Sequence, residues 1–156
     1  MQDRIAVVTG AAGGMGRAIV ERLVDDGLRV AALDIDGAGL AKLAREHGPT
    51  VLPVEVDRTD AAAIAHAFET IEVRLCGGDV LVNNAGTCLM SDFPDIPAEE
   101  FERQMAINFT SAFHCCQEAV KRMLRRDGVR KIVNISSNGA YNFDVFDPPH
   151  YRASKA

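Results

Sequence analysis

A tyrosine and a lysine lie four residues apart near the end of the chain, as Tyr151 and Lys155 in the segment YRASK. On a helix this spacing places both side chains on one face. A free tyrosine has a pKa of about 10, so it is a poor base at neutral pH until a nearby cation stabilises its phenolate. The pair therefore predicts proton transfer by Tyr151, with Lys155 lowering its pKa. An ordinary pair on a helix surface is the alternative.

Four glycines follow the first predicted strand in the segment TGAAGGMG: Gly10, Gly13, Gly14 and Gly16. Glycines in such a turn let the backbone bend tightly and approach a ligand closely. The helix behind them offers free N–H groups and a positive dipole end to a pyrophosphate. The spacing is neither G-x-G-x-x-G nor that of a P-loop. A tight connection without a ligand is the alternative, but the position after the first strand favours dinucleotide binding.

An aspartate, Asp34, ends the second predicted strand, 18 residues after Gly16. A carboxylate at this point can accept hydrogen bonds from the ribose hydroxyls of adenosine, and it would repel a 2′-phosphate. Asp36, two residues on, is expected to be a turn acid. Asp34 therefore favours NAD over NADP. Arg17 adds a cation nearby, so the sequence does not exclude NADP.

The segments that position these residues alternate between short β-branched runs and helical patterns. The predicted strands are residues 4–9, 29–33, 50–56, 79–82 and 130–135, and the predicted helices are residues 15–27, 38–47, 60–75 and 98–126. The runs are apolar on both faces, as in buried parallel strands, and right-handed crossovers would place helices on both sides of the sheet. We expect a single doubly wound α/β domain over residues 1–156.

Composition excludes several classes of partner. The 156 residues carry a formal net charge of −5 without a basic block, which argues against nucleic acid binding. No apolar run is long enough to span a bilayer, and the N-terminus enters a strand without a signal peptide, so we expect a cytoplasmic protein without membrane contact. The four histidines are scattered and the four cysteines lack C-x-x-C spacing, which predicts no metal site.

Five short motifs occur in a fixed order along the chain: TGAAGGMG (9–16), NNAG (83–86), Asn108 within MAINFTSAF, VNISS (133–137) and YRASK (151–155). Together they resemble the pattern of the classical short-chain dehydrogenase/reductase family over essentially the whole chain. The resemblance implies a Rossmann-like parallel sheet with strand order 3-2-1-4-5. It also implies that the chain is the N-terminal part of the family fold, with the C-terminal strands missing and the fifth strand left as an exposed apolar edge.

The resemblance also implies two sets of site residues. The catalytic set is Asn108, Ser137, Tyr151 and Lys155. The cofactor-binding set is Gly10, Gly14, Met15, Gly16, Asp34, Asp57, Asn83, Ala85 and Gly86, together with Tyr151 and Lys155.

Particular roles follow from the family pattern. Asp57 would lie near adenine, and Asn83 would support the centre of the sheet beside the cofactor. Ser137 would hold the substrate oxygen. Asn108, which is polar within an apolar helix stripe, would kink its helix and hold a water that connects Lys155 to solvent.

One interval departs from the family pattern. Tyr151 follows Ser137 by 14 residues, one more than expected, and Ser136 would widen the gap further, so Ser137 is preferred. Within the interval, Tyr141, Phe143 and Phe146 either wall the substrate pocket or belong to a surface loop. Tyr141 has no lysine four residues on.

The first functional hypothesis is an NAD(H)-dependent oxidoreductase of small secondary alcohols or ketones, whose longer parent forms a homodimer or homotetramer. The second is a dinucleotide-binding module or fragment without catalysis. The third is an NADP-preferring ketoreductase, such as a 3-oxoacyl reductase.

Overall fold

The computed structural model describes residues 4–142 and 147–156. Its centre is a five-stranded sheet in which every neighbouring pair is parallel, with the order β3-β2-β1-β4-β5. The strands are β1 (Ile5–Thr9), β2 (Arg29–Asp34), β3 (Val51–Glu55), β4 (Val80–Asn83) and β5 (Lys131–Asn134). The expected strand order is confirmed, and each predicted strand boundary lies within one residue of the observed one.

Six α-helices connect and flank the strands in the described part of the chain. They are α1 (Gly14–Asp25), α2 (Gly37–His47), α3 (Ala61–Leu75), α4 (Ala98–Met105), α5 (Ser111–Met123) and α6 (Pro149–Lys155). Two of them begin at aspartates: Asp36 accepts a hydrogen bond from the Gly39 N–H, and Asp60 accepts from the Ala62 and Ala63 N–H groups. Such caps satisfy N–H groups that have no partner inside the helix. Asp36 is thus the turn acid that its position predicts.

The long helix predicted over residues 98–126 needs correction. It consists of α4 and α5 joined by a π-helical segment, Ala106–Thr110, and it ends at Met123. A π-helical turn holds one more residue than an α-helical turn, and it is frequent at functional sites. Asn108 lies within this segment, where its buried side chain bonds to backbone outside the helix.

The core lies on both faces of the sheet. Side chains alternate along β1, so that Ile5 and Val7 pack with α3 and α5 while Ala6 and Val8 pack with α1 and α2. This alternation follows from the two-residue period of a strand. The doubly wound α/β architecture is therefore confirmed. No helix in the described ranges is long and apolar enough to cross a membrane.

Strand β5 differs from the other strands because all four of its residues are exposed. The prediction of a buried strand is wrong for β5, and the expectation of an exposed apolar edge is confirmed by Ile132 and Val133. Pairing with β4 satisfies one side of β5 only.

We predict that Asp79→Ala destabilises the fold. The buried Asp79 carboxylate accepts a hydrogen bond from the Ile5 N–H at 2.9 Å and lies 3.3 Å from Arg130 Nη1. Removing it leaves a buried N–H without a partner, so the free energy of unfolding should fall by about 2 kcal/mol. Urea denaturation measures this loss. Asp25→Ala, at an exposed aspartate, should change it by less than about 0.5 kcal/mol, and equal effects of both substitutions would contradict the assignment.

Candidate active site

The site lies where β1 and β4 end side by side and the chain leaves in opposite directions, toward α1 on one face and toward α4 and α5 on the other. Open parallel sheets bind ligands in the crevice at such a point. Hydrogen bonds join the two loops there. Thr9 Oγ1 accepts from the N–H groups of Asn84 and Ala85, and Asn84 Nδ2 donates to the carbonyls of Thr9 and Gly10.

A cleft of about 910 Å³ opens along this edge of the sheet. It brings together most of the residues that the sequence assigns to cofactor binding. These are Gly10, Gly14, Met15, Gly16, Asp34, Asp57, Ala85 and Gly86. Asn83 does not line the cleft; its side chain donates instead to Asn134 Oδ1 and Cys116 Sγ, between β4, β5 and α5.

The glycine turn has no room for side chains at two positions. Gly10 has φ of +66°, and a Cβ there would lie 2.8 Å from Ala85 Cα. A Cβ on Gly16 would collide with the Gly10 carbonyl, so α1 can approach the turn this closely only with glycine. A Cβ on Gly14 would meet no protein atom within 4 Å. The first turn of α1 therefore faces open space in the cleft.

Asp34 is both a structural and a cleft residue. Its Oδ2 accepts from the Ala12 N–H at 3.0 Å, and its Oδ1 accepts from the Asp36 N–H at 3.1 Å. Each carboxylate oxygen can accept a second hydrogen bond, so capacity is left for a ligand.

Arg17, a cation on α1, is engaged by acidic side chains. Its Nε donates to Glu21 at 2.9 Å, and its Nη2 donates to Glu46. Glu21 lies on α1 and Glu46 lies on α2, so two carboxylates already balance the charge of Arg17.

Arg58 is a cleft residue that sequence reasoning missed. Its Nη1 donates to Ser111 Oγ at 2.7 Å, and burial lowers the pKa of its guanidinium. The neighbouring Asp57 accepts from the N–H and Oγ1 of Thr59, which lowers the pKa of its carboxyl. The only sequence signal for Arg58 was a charged residue directly after a strand end.

A second pocket, of about 470 Å³, shares the lining residue Ala85 with the cleft. It lies between the ends of β4 and β5 and helices α5 and α6. Asn108 and Lys155 line it. A Cβ on Gly86 would come within 2.9 Å of Lys155 Nζ and 3.2 Å of Asn108 Oδ1, so glycine lets both polar groups approach the loop after β4.

Lys155 and Asn108 are held by backbone groups. Lys155 Nζ donates to the Ile135 carbonyl at 2.9 Å, and burial lowers the pKa of this lysine, with a further contribution from the charge of Arg58. Asn108 accepts from the Thr87 N–H and donates to the Thr87 carbonyl, both at 2.8 Å.

The other two residues of the expected catalytic set do not line this pocket. Ser137 Oγ accepts from the Gly139 N–H at 3.2 Å, and Tyr151 is half-buried on α6. Ser136 lines the pocket instead, and its Oγ donates to the Lys155 carbonyl at 2.6 Å.

Two further expectations concern the pocket walls and metals. Tyr141 lines the second pocket with 84% of its surface exposed, whereas Phe143 and Phe146 lie outside the described residues. Across residues 4–142 and 147–156, no group of three or more His, Cys, Asp or Glu side chains converges to hold a metal ion.

Comparison with known proteins identifies the family of the chain. The family model described as short chain dehydrogenase matches residues 4–156, so the chain belongs to that family. It is 34% identical to a 3-beta-hydroxysteroid dehydrogenase of Comamonas testosteroni, covering 100% of this chain and 60% of the relative. It is 32% identical to a D-threitol dehydrogenase of Mycolicibacterium smegmatis, covering 90% of this chain and 55% of the relative.

Solved structures show the same fold. The aldohexose dehydrogenase of Thermoplasma acidophilum, in ligand-free form, superposes with a TM-score of 0.86 at 31% identity over 99% of this chain and 56% of that chain. The chain thus spans a little over half the length of these relatives.

We predict that Gly16→Ala opens the glycine turn and destabilises the protein. Overpacking against backbone should lower the free energy of unfolding by about 2 kcal/mol. Gly14→Ala, where a Cβ meets open space, should stay within about 1 kcal/mol of the wild type. Thermal and urea unfolding of both variants measure the difference. Equal stability of the two variants would show that the close contact between Gly16 and Gly10 is wrong.

Proposed function

We propose that the polypeptide carrying this chain is an NAD(H)-dependent oxidoreductase that interconverts a small secondary alcohol and its ketone. The observation that carries the proposal is that two spaces share Ala85 in their lining. One holds the glycine turn and Asp34, and the other holds Lys155 and Asn108. The alcohol dehydrogenases among the relatives support the same class of reaction.

The cleft, at about 910 Å³, lies within the range of about 300–1,000 Å³ that is typical of ligand sites, and the chemistry of its ends suits a dinucleotide. The open first turn of α1 offers N–H groups to a pyrophosphate, and the spare acceptor capacity of Asp34 suits a ribose diol. Asp57 lies farther along the cleft, on the side proposed for adenine. A bound nicotinamide would supply the hydride acceptor or donor at the substrate carbon.

The chain's own residues would handle the proton at the substrate oxygen. Tyr151 would give or take it at Oη, and the Lys155 ammonium would favour the phenolate. Asn108 would hold the loop after β4 beside them and retain the proposed water contact to Lys155. Ser137 would hold the substrate oxygen by donating its hydroxyl hydrogen, which the bond accepted from the Gly139 N–H does not use.

A second candidate is a dinucleotide-binding module without turnover. The position of Ser137 and Tyr151 away from the pocket lining favours it. Both candidates share the cleft, so cofactor binding supports either, and turnover separates them.

NAD is preferred over NADP in this proposal. Asp34 carries negative charge at the proposed ribose subsite, and Arg17 is already paired with Glu21 and Glu46. A 2′-phosphate would therefore meet repulsion from Asp34 without help from Arg17. Arg58 lies in the cleft but donates to Ser111.

We further propose a cytoplasmic homodimer or homotetramer for the longer polypeptide. The supporting feature is the row of exposed apolar side chains on the π-helical segment and α5: Phe109, Phe113 and Val120. Monomers rarely expose large contiguous apolar patches.

We predict that the protein binds NADH more tightly than NADPH and that Asp34→Asn narrows the difference. Asparagine keeps an acceptor for the Ala12 N–H but loses the charge. The ratio of the Kd for NADPH to the Kd for NADH should therefore fall about tenfold. Fluorescence titration with both nucleotides measures it. Asp36→Ser removes a nearby charge and keeps a helix cap on α2, so it should leave the ratio unchanged. An unchanged ratio in Asp34→Asn would contradict the ribose assignment.

We predict that Tyr151→Phe, made in the polypeptide that carries this chain, lowers kcat by at least about 100-fold. The Kd for NADH should change little, because the phenol hydroxyl acts on the substrate. Steady-state rates on a panel of secondary alcohols and ketones provide the test. Tyr141→Phe, at the other tyrosine of these 156 residues, removes a phenol hydroxyl from the lining of the second pocket and should cost much less than Tyr151→Phe if that hydroxyl transfers no proton. Full turnover by Tyr151→Phe would contradict the role of Tyr151 as acid and base, whereas a wild type that binds NADH without any turnover would leave the binding module as the better account.

A further inference from the structure

Helix α4 and the π-helical segment carry three polar side chains spaced four residues apart: Glu100, Gln104 and Asn108. Gln104 is fully buried and Asn108 nearly so. Buried polar groups are stable only when they find hydrogen-bond partners. These three, the polar stripe, find them on the loop after β4 and on α6.

The loop after β4 is held by the stripe along its length. Gln104 Oε1 accepts from the Leu89 N–H at 2.8 Å, and its Nε2 donates to the Thr87 carbonyl at 2.6 Å. Glu100 accepts from the N–H and Oγ of Ser91. With the bonds between Asn108 and Thr87, the stripe satisfies backbone groups of a segment that has left the sheet.

Both ends of the stripe also hold α6. Asn108 Nδ2 donates to Ser154 Oγ at 2.9 Å, and His150 Nε2 lies 3.1 Å from Glu100 Oε1. A carboxylate only accepts hydrogen bonds, so the proton between them is on His150 Nε2. Tyr151 lies between these two points of attachment.

The contact between His150 and Glu100 is made in a buried place. His150 is 2% exposed, and its Nδ1 has no hydrogen-bond partner among the described residues. An apolar side chain would fill the same space without an unsatisfied nitrogen, which costs free energy when buried. What the imidazole adds over an apolar residue is the hydrogen bond to Glu100.

We propose that Glu100 and His150 are a positioning pair that holds the helix of Tyr151 against the loop after β4. Helix α6 begins at Pro149, so Tyr151 lies in its first turn, where the backbone N–H groups have few partners inside the helix and other contacts must hold the side chain in place. His150 directly precedes Tyr151 in the sequence, and Glu100 also bonds to Ser91. The pair therefore connects the start of α6 to the loop after β4. Loss of the pair would shift the phenol relative to the substrate oxygen proposed to lie at Ser137, and small displacements of reacting groups are costly in rate. This inference rests on the proposed role of Tyr151.

The test compares Glu100→Ala, Glu100→Gln and Glu118→Ala in the polypeptide that carries the chain. Glutamine keeps an acceptor for His150. Glu118 is the matched control because its side chain is 14% exposed against 20% for Glu100, and its recorded partners, Lys121 and Arg122, lie on its own helix.

Glu100→Ala should lower kcat about tenfold with the Kd for NADH within twofold, as expected for a lost hydrogen bond that acts on geometry. Amide hydrogen exchange should become faster in residues 149–155. Glu100→Gln should keep most of the wild-type kcat and most of the protection from exchange in residues 149–155. Glu118→Ala should change neither kcat nor this exchange.

An unchanged kcat and unchanged exchange in Glu100→Ala would overturn the pair, and so would an equal kcat loss in Glu118→Ala. Failure of the proposed function has a different signature, since the wild type would then show no turnover. In that case exchange in α6 still decides whether the pair holds the helix.

Discussion

The parallel pairing of β1 with β4 is the constraint on which the rest of the structure depends. It brings the glycine turn and the NNAG loop to one edge of the sheet, where Thr9 and Asn84 bond them together. Gly10 then packs on Ala85, and α1 closes on Gly10 through Gly16. A side chain at either glycine would separate the loops and alter the cleft between them.

From this junction the two functional spaces follow in opposite directions. Toward β2 and β3, Asp34 and Asp57 extend the cleft along a path suited to a dinucleotide. Toward β5, Gly86 lets Lys155 and Asn108 approach the loop after β4. The polar stripe on α4 then joins that loop to α6. The same few backbone contacts thus set the distance between the proposed cofactor and the proposed proton donor.

Much of this arrangement could be predicted from the sequence, because strand periodicity and glycine spacing are local signals. The strands and the glycine turn were predictable in this way, whereas the strand order and the cleft residues from Asp57 to Gly86 were implied by the resemblance to the family. The π-helical segment was not, because it depends on Asn108 bonding to Thr87, a contact between residues distant in sequence. Arg58, Gln104 and His150 were missed for the same reason, since only tertiary packing makes a charged or polar side chain part of a site.

The central claim is that the cleft at the end of β1 and β4 binds a nicotinamide dinucleotide. The most direct measurement is an NMR titration of the ¹⁵N-labelled chain with NADH. We predict that amide shift changes concentrate in residues 10–16, 34–35, 57–59 and 84–86, which line the cleft or lie in its loops. Shift changes confined to other surfaces, or none at saturating nucleotide, would contradict the claim.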